Sequence, residues 1–215
     1  ISYGVYLPYW RLQRGAITAA LGSGGGKGTR AVASYDEDTT SMGVEAARIA
    51  LASAPAGAQP GVLAFATTAP AYLDKTNATT IHAALALPSS VGAMDTIGSV
   101  RSGAAAVAVA SAGKGLAVLA DIRTGLPGGA DEAAGGDAAV AVLFGDGPDV
   151  LATPIGGADV TAEFVDRWRT PGDAHSKQWE ERFGEFAYVP LAEQSVADAL
   201  KATGLTMAEV DHVVV

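Results

Sequence analysis

The 215-residue sequence holds no cysteine, few aromatic residues (7%) and an unusually small charged fraction (17%). Without a thiol there is no disulfide, thiolate metal site or cysteine nucleophile within these residues. Basic residues are also short: 14 Lys and Arg against 23 Asp and Glu leave a formal charge of −9. A chain of that sign lacks the diffuse attraction that holds proteins to phosphate backbones, so nucleic acid is not an expected partner. No apolar run is long enough to cross a membrane. Ala104–Ala112 is Ala-rich and falls well short of the roughly 20 residues a span requires. Ile1–Pro8 has no basic segment leading into an apolar one, so no signal peptide is expected. No two His and no carboxylates stand at metal-ligand spacing, so no metal is expected.

What is abundant is apolar and small. Nearly half the residues are hydrophobic (49%), and 27 are Gly. Ile1–Leu7 reads as a strand stopped by Pro8. Leu21–Thr29, with Gly24-Gly25-Gly26-Lys27-Gly28, reads as a flexible loop, because the closing Gly-Lys-Ser/Thr of a phosphate-binding loop is missing. Asp36-Glu37-Asp38-Thr39-Thr40 precedes a periodic run from Met42 to Leu51, the pattern of a capped helix N-terminus, and Pro55–Pro60 follows it. Strands are expected at Val62–Ala66, Ala93–Val100, Gly115–Asp121, Ala138–Phe144, Val150–Pro154 and Val210–Val215. Helices are expected at Thr76–Leu87, Ser102–Ala112 and Gln194–Thr203, and Gly125–Gly136 reads as a loop. The small residues of Ser102–Ala112 predict a buried, central helix.

Strands made of continuous apolar runs that alternate with helices predict an α/β fold, its mostly parallel sheet covered on both faces. The expected organisation is 1–159 as one half, 160–193 as an insertion or connection carrying Trp168 and Trp179, and 194–215 as the start of a second half. The first residue is not Met and Val213-Val214-Val215 has no exit, so the chain is expected to be part of a longer one.

Several segments, in order, resemble one family. Asp36-Glu37-Asp38 with Thr40-Ser41-Met42, Leu73-Asp74-Lys75, Asp95 to Ala104, Gly135-Gly136-Asp137-Ala138-Ala139-Val140 and Arg167-Trp168-Arg169-Thr170-Pro171-Gly172 are similar to segments of bacterial and archaeal hydroxymethylglutaryl-CoA synthases. These are members of the thiolase superfamily, close to ketoacyl-ACP synthase III. The resemblance implies a thiolase-like layered α/β fold, of which this chain is the first half plus the start of the second. It also implies an acyl-CoA substrate or ligand, no further cofactor and a cytoplasmic location.

The family's nucleophilic Cys falls on Val100, flanked by Gly98 and by Arg101, Ser102 and Gly103 at a helix start, where backbone N–H groups can hold an oxyanion. Val100 either packs as a buried strand-end residue or lines an acyl pocket. Arg101 either faces a CoA phosphate or ion-pairs at the helix start. The family's general acid–base Glu falls on Thr68, or on Ala69 if the register slips, and neither is an acid–base group at neutral pH. The resemblance makes Arg30, Lys75, Arg167 and Arg169 candidates for the CoA phosphates, and His175 and Ser176 candidates for a substrate-facing loop. His82 reads as a structural residue, and His212 stands alone.

Three activities remain open at this point. The first is a Cys-independent lyase, an aldolase cleaving a β-hydroxyacyl-CoA with an OB-fold partner. The second is a non-catalytic thiolase-like subunit. The third is a condensing acyltransferase whose nucleophile has been replaced, for which restoring Cys at position 100 would restore acyl-enzyme formation. Pairing as a homodimer or heterodimer is expected through Ala93–Val100, an apolar strand that would otherwise be an exposed edge.

Overall fold

The computed structural model describes residues 1–214, with Glu181 by its backbone alone. The chain forms two compact units, Ile1–Leu151 and the segment from Ala152. In the first unit the elements are β1 (Ser2–Tyr6), β2 (Trp10–Gln13), α1 (Arg14–Leu21), β3 (Thr29–Val32), α2 (Thr39–Ala52), β4 (Val62–Thr67), α3 (Ala78–Ala84), β5 (Gly92–Ile97), α4 (Ser102–Ala112), β6 (Leu116–Asp121), α5 (Ala130–Ala134) and β7 (Ala138–Leu143).

A five-stranded sheet runs in the order β1-β7-β6-β4-β5. β4 is parallel to β5 and to β6, while β7 is antiparallel to both β6 and β1. Four strands therefore point one way and β7 alone is reversed, which is the mostly parallel sheet expected. The period-2 alternation of the strands sorts the core into two layers. Leu63 and Phe65 of β4, Leu116 and Val118 of β6, and Ala139, Ala141 and Leu143 of β7 face Met42, Ala46, Ala47 and Ala50 of α2 and Ile81 of α3. Ala64 and Ala66 point to the opposite face, against Ala106 of α4.

α2 begins as its sequence demands. Ser41 N–H donates to Asp38 Oδ1 at 2.7 Å, and Asp38 N–H donates to Ser41 Oγ at 2.9 Å, so two orphan donors of the first turn are satisfied reciprocally. β1 lies so close to α2 that Gly4 is obligatory, since a Cβ there would sit 2.2 Å from the Ala46 carbonyl oxygen.

Several expectations need correction. α4 is not a buried helix: Ala106 and Ala110 are covered, whereas Ala104, Ala105, Val107 and Ala108 are exposed, because only one of its faces meets the sheet. Ala93–Val100 is a strand only to Ile97, since Gly98 takes a left-handed φ of +119° and starts a turn. The loop at Gly125–Gly136 contains α5. Trp10–Gln13 and Thr29–Val32 pair as an antiparallel ribbon that no alternation announced. Val150–Pro154 is not a strand.

In the second unit, β8 (Arg167–Trp168) pairs with β9 (Lys177–Gln178), followed by α6 (Glu181–Thr203) and a single 3-10 turn at Met207–Glu209. The helix expected from Gln194 thus starts at Glu181 and runs through Pro190. Residues 160–193 and 194–214 fall in this same unit. The strand expected at Val210–Val215 is not formed over 210–214, and Val215 lies outside the described residues. Among the described residues no helix is long and apolar enough to cross a membrane.

Candidate active site

Three parallel strands, β5, β4 and β6, bring their C-terminal ends together, the edge at which open α/β sheets hold ligands. β5 delivers the turn Gly98–Arg101 and the start of α4. Gly98 N–H donates to the Thr67 carbonyl at 3.3 Å, which ties this turn to the end of β4. The turn then closes on itself: Ser102 N–H reaches the Ser99 carbonyl at 3.0 Å, and Gly103 N–H reaches that of Val100 at 3.1 Å. Gly103 is pressed against Leu119 of β6, where a Cβ would come within 2.7 Å of its side chain. Val100 is 66% exposed, so the buried, packing-only reading of this residue is wrong.

β4 and β6 deliver the second part. Asp121 Oδ1 accepts from the Thr68 backbone N–H at 2.7 Å, the Thr68 hydroxyl at 2.9 Å and the Thr67 hydroxyl at 3.2 Å. Arg123 stands 3.5 Å from Asp121 Oδ2. Val100, Gly98, Ser102, Gly103 and Thr68 are therefore brought to one edge, and Asp121 and Arg123, which sequence reasoning did not single out, stand with them. Their only signal was position, at and just beyond the end of a predicted strand.

The loop between β4 and α3 is held by a buried asparagine. Asn77 has no exposed surface. Its amide donates to Asp95 Oδ2 (3.0 Å) and to the carbonyls of Tyr72 (3.1 Å) and Lys75 (3.3 Å), and its oxygen accepts from Tyr72 N–H (3.0 Å). The Lys75 ammonium, on this exposed loop, donates to Thr80 Oγ1 at 2.8 Å and lies 5.2 Å from the Tyr72 ring centre. His82 is structural as expected, its Nε2 lying 3.1 Å from the Pro88 carbonyl.

Arg30 does not suit the role of a phosphate-binding cation. Its guanidinium is buried and bonds the carbonyls of Asp131 and Glu132 (both 3.0 Å) and Arg123 (2.7 Å), with Asp137 Oδ1 at 3.3 Å. Asp137 in turn accepts from Ala33 N–H and Arg123 N–H, both at 2.8 Å. The pair fastens β3 to the segment that carries α5. Beside it a pocket of about 360 Å³ is lined by Leu12, Arg30, Ser34, Glu37, Arg123 and Thr124 among others. At its edge the Glu37 carboxylate accepts from Tyr6 and from Ser34 N–H. Hydrogen bonding to Glu37, then burial, then the Glu37 charge push the Tyr6 hydroxyl up to about 12. Burial raises Glu37, but the bonds from Ser34 and Tyr6 outweigh it and hold the carboxyl below its ordinary value.

Arg167, Arg169, His175 and Ser176 belong to the second unit, on and between β8 and β9. Trp168 and Trp179 pack there with ring centres 6.3 Å apart, and Asp173 accepts from the Thr170 N–H and hydroxyl. Among the described residues no cluster of His, Asp and Glu could hold a metal ion.

Comparison with known proteins agrees with this architecture. The chain is 27% identical to the hydroxymethylglutaryl-CoA synthase of Aeropyrum pernix, over 99% of its own length and 63% of that protein. Among solved structures it superposes on 3-oxoacyl-(acyl carrier protein) synthase III of Pseudomonas aeruginosa with a TM-score of 0.79 at 22% identity, covering 98% of this chain and 72% of that one. It also superposes on a hydroxymethylglutaryl-CoA synthase complexed with CoA with a TM-score of 0.78 at 15% identity, covering 96% and 56%. No protein-family model matches. The chain spans between about half and two thirds of the length of the curated relatives it matches (63%, 53% and 66%).

The fold is thiolase-like, matching those two solved structures. In sequence the chain is similar to hydroxymethylglutaryl-CoA synthases, and in fold to those and to 3-oxoacyl-(acyl carrier protein) synthase III.

Proposed function

We propose that this chain handles acyl-CoA thioesters without forming an acyl-enzyme, as the thiolase-like subunit of a Cys-independent carbon–carbon lyase that cleaves a β-hydroxyacyl-CoA. The observation that carries the reading is the turn Gly98–Arg101. It keeps a strand–turn–helix at the C-terminal end of β5, yet the side chain it presents, Val100, has no nucleophilic atom. Retro-aldol cleavage fits such a site. It requires a base for the β-hydroxyl and donors for the enolate oxygen, and it needs no covalent intermediate. A neighbour in fold is a CoA complex, which supports CoA as the carrier. An OB-fold partner and the remaining half of the thiolase fold complete the enzyme in this reading. Arg101 and Lys75 of the first unit are the cations proposed to meet the CoA phosphates.

β5 supports a second element of the proposal. It is an edge of the sheet, with Met94 and Ile97 more than 40% exposed, and it is proposed to pair with its counterpart in a homodimer or a related subunit.

The test uses the intact protein with its co-purifying subunits. Titration with acetyl-CoA should show saturable binding, incubation with 3-hydroxybutyryl-CoA should release acetaldehyde and acetyl-CoA, and sedimentation should show a dimer or larger. Binding without cleavage assigns the chain to the non-catalytic subunit reading, and sedimentation as a monomer removes the pairing.

A further inference from the structure

We infer that residues 125–136 form a strap, latched by the buried Arg30, that opens as one piece and serves as the movable wall of the pocket of about 360 Å³. The inference does not depend on the reaction proposed above. The strap lies in the connection from β6 to β7. Both ends of that connection leave the sheet at one point, because Asp121 and Ala138 are direct partners in the antiparallel pair. A surface loop whose ends meet in this way swings without disturbing the strands that carry it. Glycines bound the strap, with Gly125 at one end and Gly135 and Gly136 at the other.

The flanking strands behave differently. β6 buries Leu116, Ala117, Val118 and Ala120, and β7 buries Ala139, Ala141 and Leu143. No residue of the strap is buried, Leu126 is 54% exposed, and none of its side chains belongs to either core layer. Its internal hydrogen bonds are local. Gly129 N–H donates to the Leu126 carbonyl (2.8 Å), Ala133 N–H to that of Gly129 (3.1 Å) and Gly135 N–H to that of Asp131 (3.0 Å). Gly128 N–H donates to the Glu132 carboxylate at 2.6 Å. These bonds keep the strap in shape and do not tie it to the sheet. Segments with so few buried contacts open at a lower free energy than the core around them.

Arg30 of β3 supplies the latch. Its Nη1 donates to the strap carbonyls of Asp131 and Glu132, both at 3.0 Å. Its Nη2 holds the root of the connection, at the Arg123 carbonyl and Asp137 Oδ1. Asp137 is itself fixed to β3 by the Ala33 N–H. One side chain therefore grips the moving part with one nitrogen and the fixed part with the other. The closed latch leaves the buried Arg30 Nε without a partner, a cost that opening relieves. Gly125 and Glu132 of the strap face the same pocket as Leu12, Val32 and Glu37, so release of the latch widens it.

Hydrogen–deuterium exchange on the intact protein tests this. Amides of residues 125–136 should exchange at least about tenfold faster than those of β6 and β7, and with a common opening free energy. Arg30→Lys keeps a cation beside Asp137 but has no planar fork to span two carbonyls. It should speed strap exchange by about tenfold or more, as expected for lost bonds to a charged group, and leave β6, β7 and α2 unchanged. Gly125→Ala leaves the latch in place but puts a Cβ 2.2 Å from the Glu132 nitrogen, and it should have the same local effect. If Arg30→Lys does not fold, Gly125→Ala decides. The chain holds no cysteine, so Val32→Cys places a single thiol in the pocket. A bulky maleimide should label that thiol about tenfold faster when either variant is added, in step with strap opening. Strap amides as slow as those of β6 in the wild type overturn the inference. So does exchange that neither variant speeds, or that rises in α2 and the strands as much as in the strap. Faster strap exchange with unchanged labelling overturns the strap's role as a pocket wall.

Discussion

At the scale of single residues, the polar groups that hold this fold are buried and multiply hydrogen-bonded, Asp137 as an acceptor and Asn77 chiefly as a donor. Asp137 and Asn77 each gather several hydrogen bonds, and each would leave unsatisfied partners if replaced. Tyr6 and Glu37 make the case that pH can test. The Tyr6 hydroxyl, pushed up to about 12 chiefly by its bond to Glu37, stabilises the fold only while protonated. Its folded value lies above the unfolded one of roughly 10, so the stabilisation is complete below about pH 10 and is lost as pH rises through about 12. Glu37 is held below its ordinary value, so its part is present above the unfolded pKa and is lost as pH falls through the folded one. Tyr6→Phe should therefore be less stable than the wild type in urea at neutral pH, and the gap should close as the wild type is taken from about pH 10 to 12. A gap independent of pH would show that the pair does not contribute as described. Residue roles were the least legible part of the sequence. A lone arginine such as Arg30 looks like any other cation until its partners are known, and the carbonyls it binds lie about a hundred residues further along the chain.

At the scale of elements, legibility followed the strength of the local signal. The capped start of α2 and the buried strands β4, β6 and β7 were readable to within a residue or two, because Asp38 with Ser41 and unbroken apolar runs admit few alternatives. The ribbon of β2 and β3 was not, since four-residue strands separated by a helix and a glycine loop carry no periodicity of their own. α4 misled in another way. A helix of Ala, Val, Gly and Ser has the same pattern on every side, so its sequence cannot say which faces are covered. The contact between β1 and α2 supplies a sharp test. Gly4→Ala would drive a methyl group to 2.2 Å from the Ala46 carbonyl and 2.5 Å from the Ala50 nitrogen, both backbone atoms. Such overpacking should cost about 1–3 kcal/mol, read as a lowered urea midpoint at unchanged m-value. Wild-type stability in Gly4→Ala would mean that β1 is free to move off α2.

At the scale of the whole molecule, the layered α/β plan and the thiolase-like fold were legible, because five short motifs in a fixed order constrain topology far more than any one of them does. The route from the first unit into the second was not, for α6 begins well before Gln194 in a stretch whose charges and aromatics show no helical stripe. The assembled site depends on the parallel trio β5-β4-β6, which places Val100, Thr68 and Asp121 at one edge although 53 residues separate Thr68 from Asp121. From that edge comes the central proposal, that this chain binds an acyl-CoA and does not carry the acyl group itself. Intact-mass spectrometry of the protein after incubation with acetyl-CoA, run beside a binding titration on the same sample, tests it most directly. The account predicts saturable binding and an unchanged mass for this chain, whereas an acyl group found on any peptide of these residues would contradict it.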